Sequence, residues 1–226
     1  MRLAYITAPI GLLIGGFGVA LMMAAKSESA PAPTETVSNE WKLAPMEPRH
    51  PVTPEMWKKA DGAKGMLAPT FSETDTDGNV QSLDDLTKDG PLFMYFVLDG
   101  CPCSIEAEPH YERLSKGFRS KVNFLVVSSA IPEQAKKWKS EFAVPYPVLS
   151  QPDLRLMHEY GVTNSVYCLL IGQDKKIIKM WPGYSATMLQ EANALLAKST
   201  GEKLSVFDSK LAPKIMTSGC PFPKKP

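Results

Sequence analysis

The chain has 226 residues, with 25 Lys and Arg against 24 Asp and Glu, and a formal net charge of +1 gives no electrostatic footprint for nucleic acid or another polyanion. At 44% hydrophobic and 22% charged, it is too apolar for wholesale disorder and too polar for a multi-span membrane protein, which leaves one globular domain with attachments. Four cysteines are too few for a dense disulfide scaffold and lack the paired spacing of a zinc ribbon, so each must be read from its own surroundings.

Residues 3–25 carry no charge, follow Arg2 and end at Lys26. As a helix this run is roughly 34 Å long, enough to cross a hydrocarbon core of about 30 Å. A cleaved secretory signal shares the charged start but has a shorter apolar stretch and a small-residue cleavage site, which Ala30-Pro31-Ala32 fits poorly. Residues 1–26 are therefore expected to be a signal anchor, or failing that a signal peptide. On either reading the remainder is exported. The expectation is a single-pass cell-membrane protein with its domain extracytoplasmic, periplasmic or at the cell surface, and a secreted protein if the signal is cleaved. Residues 27–64 bring prolines at 31, 33, 45, 48, 51 and 54 and read as a stiff linker with room for a short helix.

Asp77-Gly78-Asn79 between residues 71–75 and 80–82 predicts a short hairpin, and Ser82 is placed to cap a helix over 83–88. Residues 91–98, PLFMYFVL, are apolar almost throughout, the pattern of a central strand buried on both faces. A helix over 104–118, a second buried strand over 122–128 and a helix over 132–142 with Pro132 in its first turn follow. Next come an extended piece at 147–149, a helix over 153–160 stopped by Gly161, and a hairpin of 166–171 with 176–181. Ser185 caps a last amphipathic helix that runs to about residue 199 and ends at Gly201. Residues 202–226, rich in proline and lysine, read as a flexible tail carrying Cys220.

Parallel strands joined by a helix, then an antiparallel hairpin and a closing helix, resemble the thioredoxin fold. The resemblance implies an α/β domain with a central mixed sheet flanked by helices, behind the N-terminal transmembrane helix. Met66-Leu67-Ala68-Pro69-Thr70-Phe71, Asp77-Gly78 and Leu83-Asp84-Asp85-Leu86 are similar to the start of the redoxin branch that includes AhpC/TSA and TlpA-like proteins. Asp99-Gly100-Cys101-Pro102-Cys103-Ser104 falls where that family carries its cysteine, and Tyr160-Gly161-Val162 precedes the hairpin as the family's Y-G-V does. The resemblance covers residues 65–201, the expected redoxin domain.

Cys101 sits at a strand-to-helix junction, where unpaired N–H groups and the positive end of the helix dipole favour a thiolate, and is read as the nucleophile. Pro109, eight residues on, matches the helix proline of thioredoxins in that register. Their second cysteine falls at Ser104 here, and the partner thiol has moved to Cys103. A redox-active disulfide between Cys101 and Cys103 closes a small, strained ring, and strain raises the reduction potential. The alternative is that one of the two is a bystander. A purely structural bridge is disfavoured, since so short a loop constrains almost nothing in the unfolded chain. Asp99, Glu106 and Glu108 read as a solvated face, not a proton relay.

Several family features are absent. Leu98 stands where peroxiredoxins place a threonine, and Asn164-Ser165-Val166 offers no arginine to a peroxide. Val166 takes the place of the thioredoxin cis-proline, with a trans bond expected, and Ser165 and Val166 form the expected substrate-facing loop. The buried acid of thioredoxins corresponds to Tyr95. Cys168, in an apolar strand, reads as a core thiol. Cys220 on its mobile arm is inert, a cross-link, or a resolving thiol reaching Cys101. The copper-delivering Sco branch combines cysteines with a distant histidine. Its cysteine spacing differs from that here, His110 lies on the active-site helix and His158 in a later one, although two thiolates can hold Cu(I).

The expected function is an extracytoplasmic thiol–disulfide oxidoreductase in which Cys101 attacks and Cys103 resolves, with protein or small-molecule thiols and disulfides as partners and no cofactor or metal. One rival is a thiol peroxidase whose Cys101 is oxidised by peroxide to sulfenic acid and resolved by Cys103 or Cys220. The other is a Cu(I)-binding or partner-docking module.

Overall fold

The computed structural model describes residues 50–206 and 208–224. The membrane segment expected at residues 3–25 lies outside them, and among the described residues no helix is long and apolar enough to cross a membrane. In chain order the elements are α1 (Pro54–Gly62), β1 (Ser72–Thr74), β2 (Val80–Ser82), α2 (Leu83–Lys88), β3 (Leu92–Val97), α3 (Pro102–Lys116), β4 (Asn123–Ser128), α4 (Pro132–Glu141), β5 (Val148–Ser150), α5 (Arg155–Glu159), β6 (Cys168–Ile171), β7 (Ile177–Trp181) and α6 (Ala186–Thr200).

Local chemistry accounts for the boundaries. The Asp75 carboxylate accepts from the backbone N–H groups of Asp77 and Asn79, each at 2.9 Å, and Gly78 supplies the positive φ that closes the β1–β2 hairpin. Ser82 Oγ accepts from Asp85 N–H at 3.0 Å and starts α2. The helix expected within the linker is α1, with Pro54 in its first turn and Thr53 as its cap.

The main sheet has the order β5-β4-β3-β6-β7, with β3, β4 and β5 parallel and β6 and β7 antiparallel. All six residues of β3 are buried, and alternation sends them to two cores. Phe93, Tyr95 and Val97 pack with Tyr111 and Leu114 of α3 and Leu189 and Leu196 of α6. Leu92, Met94 and Phe96 pack on the other face with Leu83 of α2 and Leu156 of α5. A run that must be apolar on both faces therefore reads as continuous, and this sandwich fixes the end of β3, where the cysteines begin.

Three expectations shift. The first long helix begins at Pro102, because proline is accepted at a first turn and Cys101 takes the cap position. The helix expected over 153–160 shrinks to α5, because Leu154 is left-handed at φ 60°. The strand expected from residue 166 begins at Cys168, because Val166 has φ 68°. The larger correction concerns residues 202–226, expected as a flexible tail. Thr217 and Tyr184 exchange two backbone hydrogen bonds of 2.9 Å, Ser218 N–H donates to His50 O at 2.8 Å, and Phe222 N–H donates to Thr163 O at 2.9 Å. Phe222 is buried in the core, and Gly183 lets the segment approach, since a Cβ there would lie 2.2 Å from Thr217 O. The composition reflects the exposed Lys203, Lys210, Lys214 and Lys224, whereas the backbone over residues 217–222 is anchored.

Candidate functional site

The site forms where β3 ends. Cys101 N–H donates to Leu98 O at 3.1 Å, Gly100 turns the chain at φ 70°, and Ser104 N–H donates back to Cys101 O at 3.1 Å, opening α3. Cys101 is only 3% exposed, yet its sulfur is surrounded by donors. The Ser165 hydroxyl donates to it at 3.2 Å and the Cys220 backbone N–H at 3.3 Å. Hydrogen bonding from the Cys103 thiol, then from the Cys220 thiol, Ser165 and the Cys220 N–H, brings the Cys101 thiol down to about 3 against the opposing effect of burial.

Its neighbours shift the other way. The bond to Cys101, then burial and the Cys101 charge, hold the Cys103 thiol well above the ordinary range. Burial, followed by the bond to Cys101, pushes Cys220 up to about 11. One sulfur is held as an anion while two others keep their protons and share them with it. None of the four cysteines is in a disulfide. Cys168 is set in the sheet, its thiol raised by burial, with Tyr111 Oη 3.7 Å from its sulfur.

Ser165 and Val166, expected to face substrate, are beside Cys101 but covered by the chain's own C-terminal segment. Ser165 N–H donates to Cys220 O and Gly219 N–H donates to Ser165 O, both at 2.9 Å. Gly219 is required here, because a Cβ would lie 1.9 Å from Ser165 Oγ. Val166 is buried, its N–H donates to Phe96 O at 2.7 Å, and its carbonyl accepts from Tyr111 Oη at 3.2 Å. Cys220 is therefore neither remote nor on a mobile arm.

The reading of Glu108 as part of a solvated face is corrected, although Asp99 is exposed as expected. Glu108 is 1% exposed and accepts from the hydroxyls of Tyr95 and Tyr146, the latter at 3.2 Å. It lies two turns beyond the cap on the core face of α3, a placement its charge conceals. Burial pushes its carboxyl up to about 8, opposed by the two tyrosine bonds.

The three histidines diverge. His110 is buried against the Tyr184 ring and held down to about 4 by burial and by Arg113, and His158 lines a surface groove with Lys59 and Phe222. His50, which sequence reasoning did not single out, comes to the sulfurs, its Nε2 3.8 Å from Cys220 Sγ. No spacing could reveal it, since it reaches Cys220 through the pairing of Pro51 with Thr217, far apart in the chain.

The family model for Redoxin matches residues 63–196. Among curated proteins, Peroxiredoxin Q, chloroplastic, of Gentiana triflora is 25% identical over 118 residues, covering 51% of this chain and 54% of that protein. The chain thus spans about half the length of the curated relatives it matches. Among solved structures, an uncharacterized conserved protein from Geobacillus kaustophilus has a TM-score of 0.59 at 23% identity, over 72% of this chain and 93% of that one. A Chlorobium tepidum protein described as a thiol:disulfide interchange protein, DsbE, has a TM-score of 0.56 at 20% identity, over 61% and 98%. At these identities the structural likenesses show a shared thioredoxin-like fold.

Proposed function

The chain belongs to the Redoxin family, and on that premise we propose that it is an extracytoplasmic thiol–disulfide oxidoreductase, tethered through residues 3–25, with Cys101 as its nucleophile. Family membership makes it an oxidoreductase or peroxidase-like enzyme. The observation that carries the finer reading is the Cys101 sulfur at the start of α3, accepting from the Ser165 hydroxyl at 3.2 Å and the Cys220 N–H at 3.3 Å, surroundings that lower its thiol pKa and raise those of Cys103 and Cys220.

Cys101 attacks one sulfur of a substrate disulfide, forming a mixed disulfide and releasing the other substrate sulfur as a thiolate that takes a proton from solvent. The Cys101 anion, whose hydrogen bond and charge kept the proton on Cys103, is thereby consumed. Cys103 then ionises more readily and attacks Cys101 Sγ, expelling the second substrate thiolate and leaving a Cys101–Cys103 disulfide. Two electrons pass to the substrate, and the reverse sequence oxidises a dithiol. Cys220 is the alternative resolving thiol, since it donates to the same sulfur.

The test is exchange with a peptide disulfide at pH 7, followed by mass spectrometry. Cys101→Ser is expected to abolish exchange, and Cys103→Ser to accumulate the mixed disulfide on Cys101. The reading fails if Cys101→Ser exchanges at the wild-type rate. The thiol-peroxidase reading draws support from the Peroxiredoxin Q relatives; Leu98 and the arginine-free loop at Ser165 argue against it. Fast, saturating oxidation of Cys101 by peroxide alongside slow disulfide exchange would put it first.

A further inference from the structure

The redox reading uses sulfurs and leaves their imidazole neighbour without a role. We propose that His50 Nε2 and the Cys103 and Cys220 sulfurs form a binding site for a thiophilic d10 cation, Cu(I) or Zn(II). This goes beyond the redox reading and needs only the donors.

The His50, Cys103 and Cys220 donor atoms all lie within 4.8 Å of one another, and the His50 to Cys220 separation is 3.8 Å. Around one ion at metal–sulfur distances of about 2.3 Å and metal–nitrogen distances of about 2.0 Å, tetrahedral ligand atoms lie roughly 3.6 to 3.8 Å apart. The cluster is therefore at or slightly outside ligand spacing. Sulfur and imidazole with no carboxylate are the donors soft cations prefer and hard ones such as Mg²⁺ and Ca²⁺ do not.

The fold holds the donors in place. Cys103 is in the first turn of α3 and buried. Cys220 is pinned by the bond from Ser165 N–H to its carbonyl and by that from the adjacent Gly219 N–H to Ser165 O, and His50 by the bond from Ser218 N–H to its carbonyl. Three separate chain segments thus bring their donors to one point. His50 and Cys220 are half-buried, which leaves the ion a way in. Each coordinating thiol gives its proton to solvent as the ion binds. A Cys101–Cys103 disulfide takes Cys103 out of the donor set, so the ion and the oxidised state exclude one another.

The test is titration of the full chain, detergent-solubilised, reduced and anaerobic, with Cu(I) and with Zn(II) separately against a chromophoric chelator of each. One equivalent of at least one ion is expected, and which chelator loses its metal decides between them. His50→Ala and Cys220→Ser are each expected to weaken uptake at least tenfold, His158→Ala to leave it unchanged, and His50→Cys to restore it by supplying another soft donor. Thermal unfolding of each variant separates lost ligation from lost fold. The proposal is overturned if neither ion binds stoichiometrically, or if folded His50→Ala binds as tightly as wild type. Disulfide exchange measured on the metal-free chain keeps the two readings apart: uptake without exchange sinks the redox function alone, and exchange without uptake sinks this site alone.

Discussion

Cys101 caps α3, Glu108 lies two turns further on, both are almost wholly buried, and the fold gives them opposite charge states. Around Cys101 two thiols, a hydroxyl and a backbone N–H converge, and the anion is favoured despite burial. Glu108 has two tyrosine hydroxyls, and burial outweighs them. Depth alone therefore does not set ionisation; the number of donors facing the group does. A sulfur at a helix start begins with unpaired N–H groups around it, whereas a carboxylate in mid-helix has only the side chains its neighbours bring.

The largest effect that tests this contrast is on stability against pH. Between about pH 6.5 and 8 the folded chain keeps the Glu108 proton that the unfolded chain has lost, so this contribution falls as pH rises. Folded Cys101 has lost a proton that the unfolded chain still holds, so its contribution grows over the same window. His110, held down to about 4, acts mainly below that window. Each slope is at most about 1.4 kcal/mol per pH unit, and in the wild type the two oppose. Urea unfolding of Glu108→Gln is expected to show stability climbing with pH, and of Cys101→Ala to show it falling; slopes of the same sign would break the comparison.

Next in size is Cys103→Ala, which removes the foremost donor to Cys101. Iodoacetamide labelling of Cys101 at pH 5 is expected to slow at least tenfold, and an unchanged rate would reassign the anion's support to the remaining donors. Tyr146→Phe, which takes one of the two donors from Glu108, is expected to raise the Glu108 pKa further and to cost about 1 kcal/mol, read from a carboxyl NMR titration and a denaturation curve. Smallest is Ser165→Ala: the loss of one hydroxyl donor should slow labelling of Cys101 by no more than a few-fold.

The sheet was legible in the sequence because its strands are buried on both faces, so residues 91–98 and 122–128 announce themselves without any partner. Ser82 and Pro132 mark helix starts by chemistry that is local in the chain. The register of Cys101 against Pro109 was equally local and placed the thiol at the correct corner. Glu108 was misread because a charged residue ordinarily signals solvent, and the tyrosines that receive it come from β3 and from the loop before β5. The C-terminal segment and His50 were missed for a different reason. Their order rests on backbone hydrogen bonds to residues far away in the chain, and such bonds leave no mark on composition or periodicity.

Gly183 and Gly219 together meter the C-terminal segment. A Cβ at the first would collide with Thr217 O and a Cβ at the second with Ser165 Oγ. Sliding the segment by one residue in either direction would bring a side chain into the gap that Gly219 leaves vacant. The segment is thus keyed to a single register, and a thiol more than a hundred residues downstream of Cys101 is set beside it with the tolerance of a bond length rather than that of a tether.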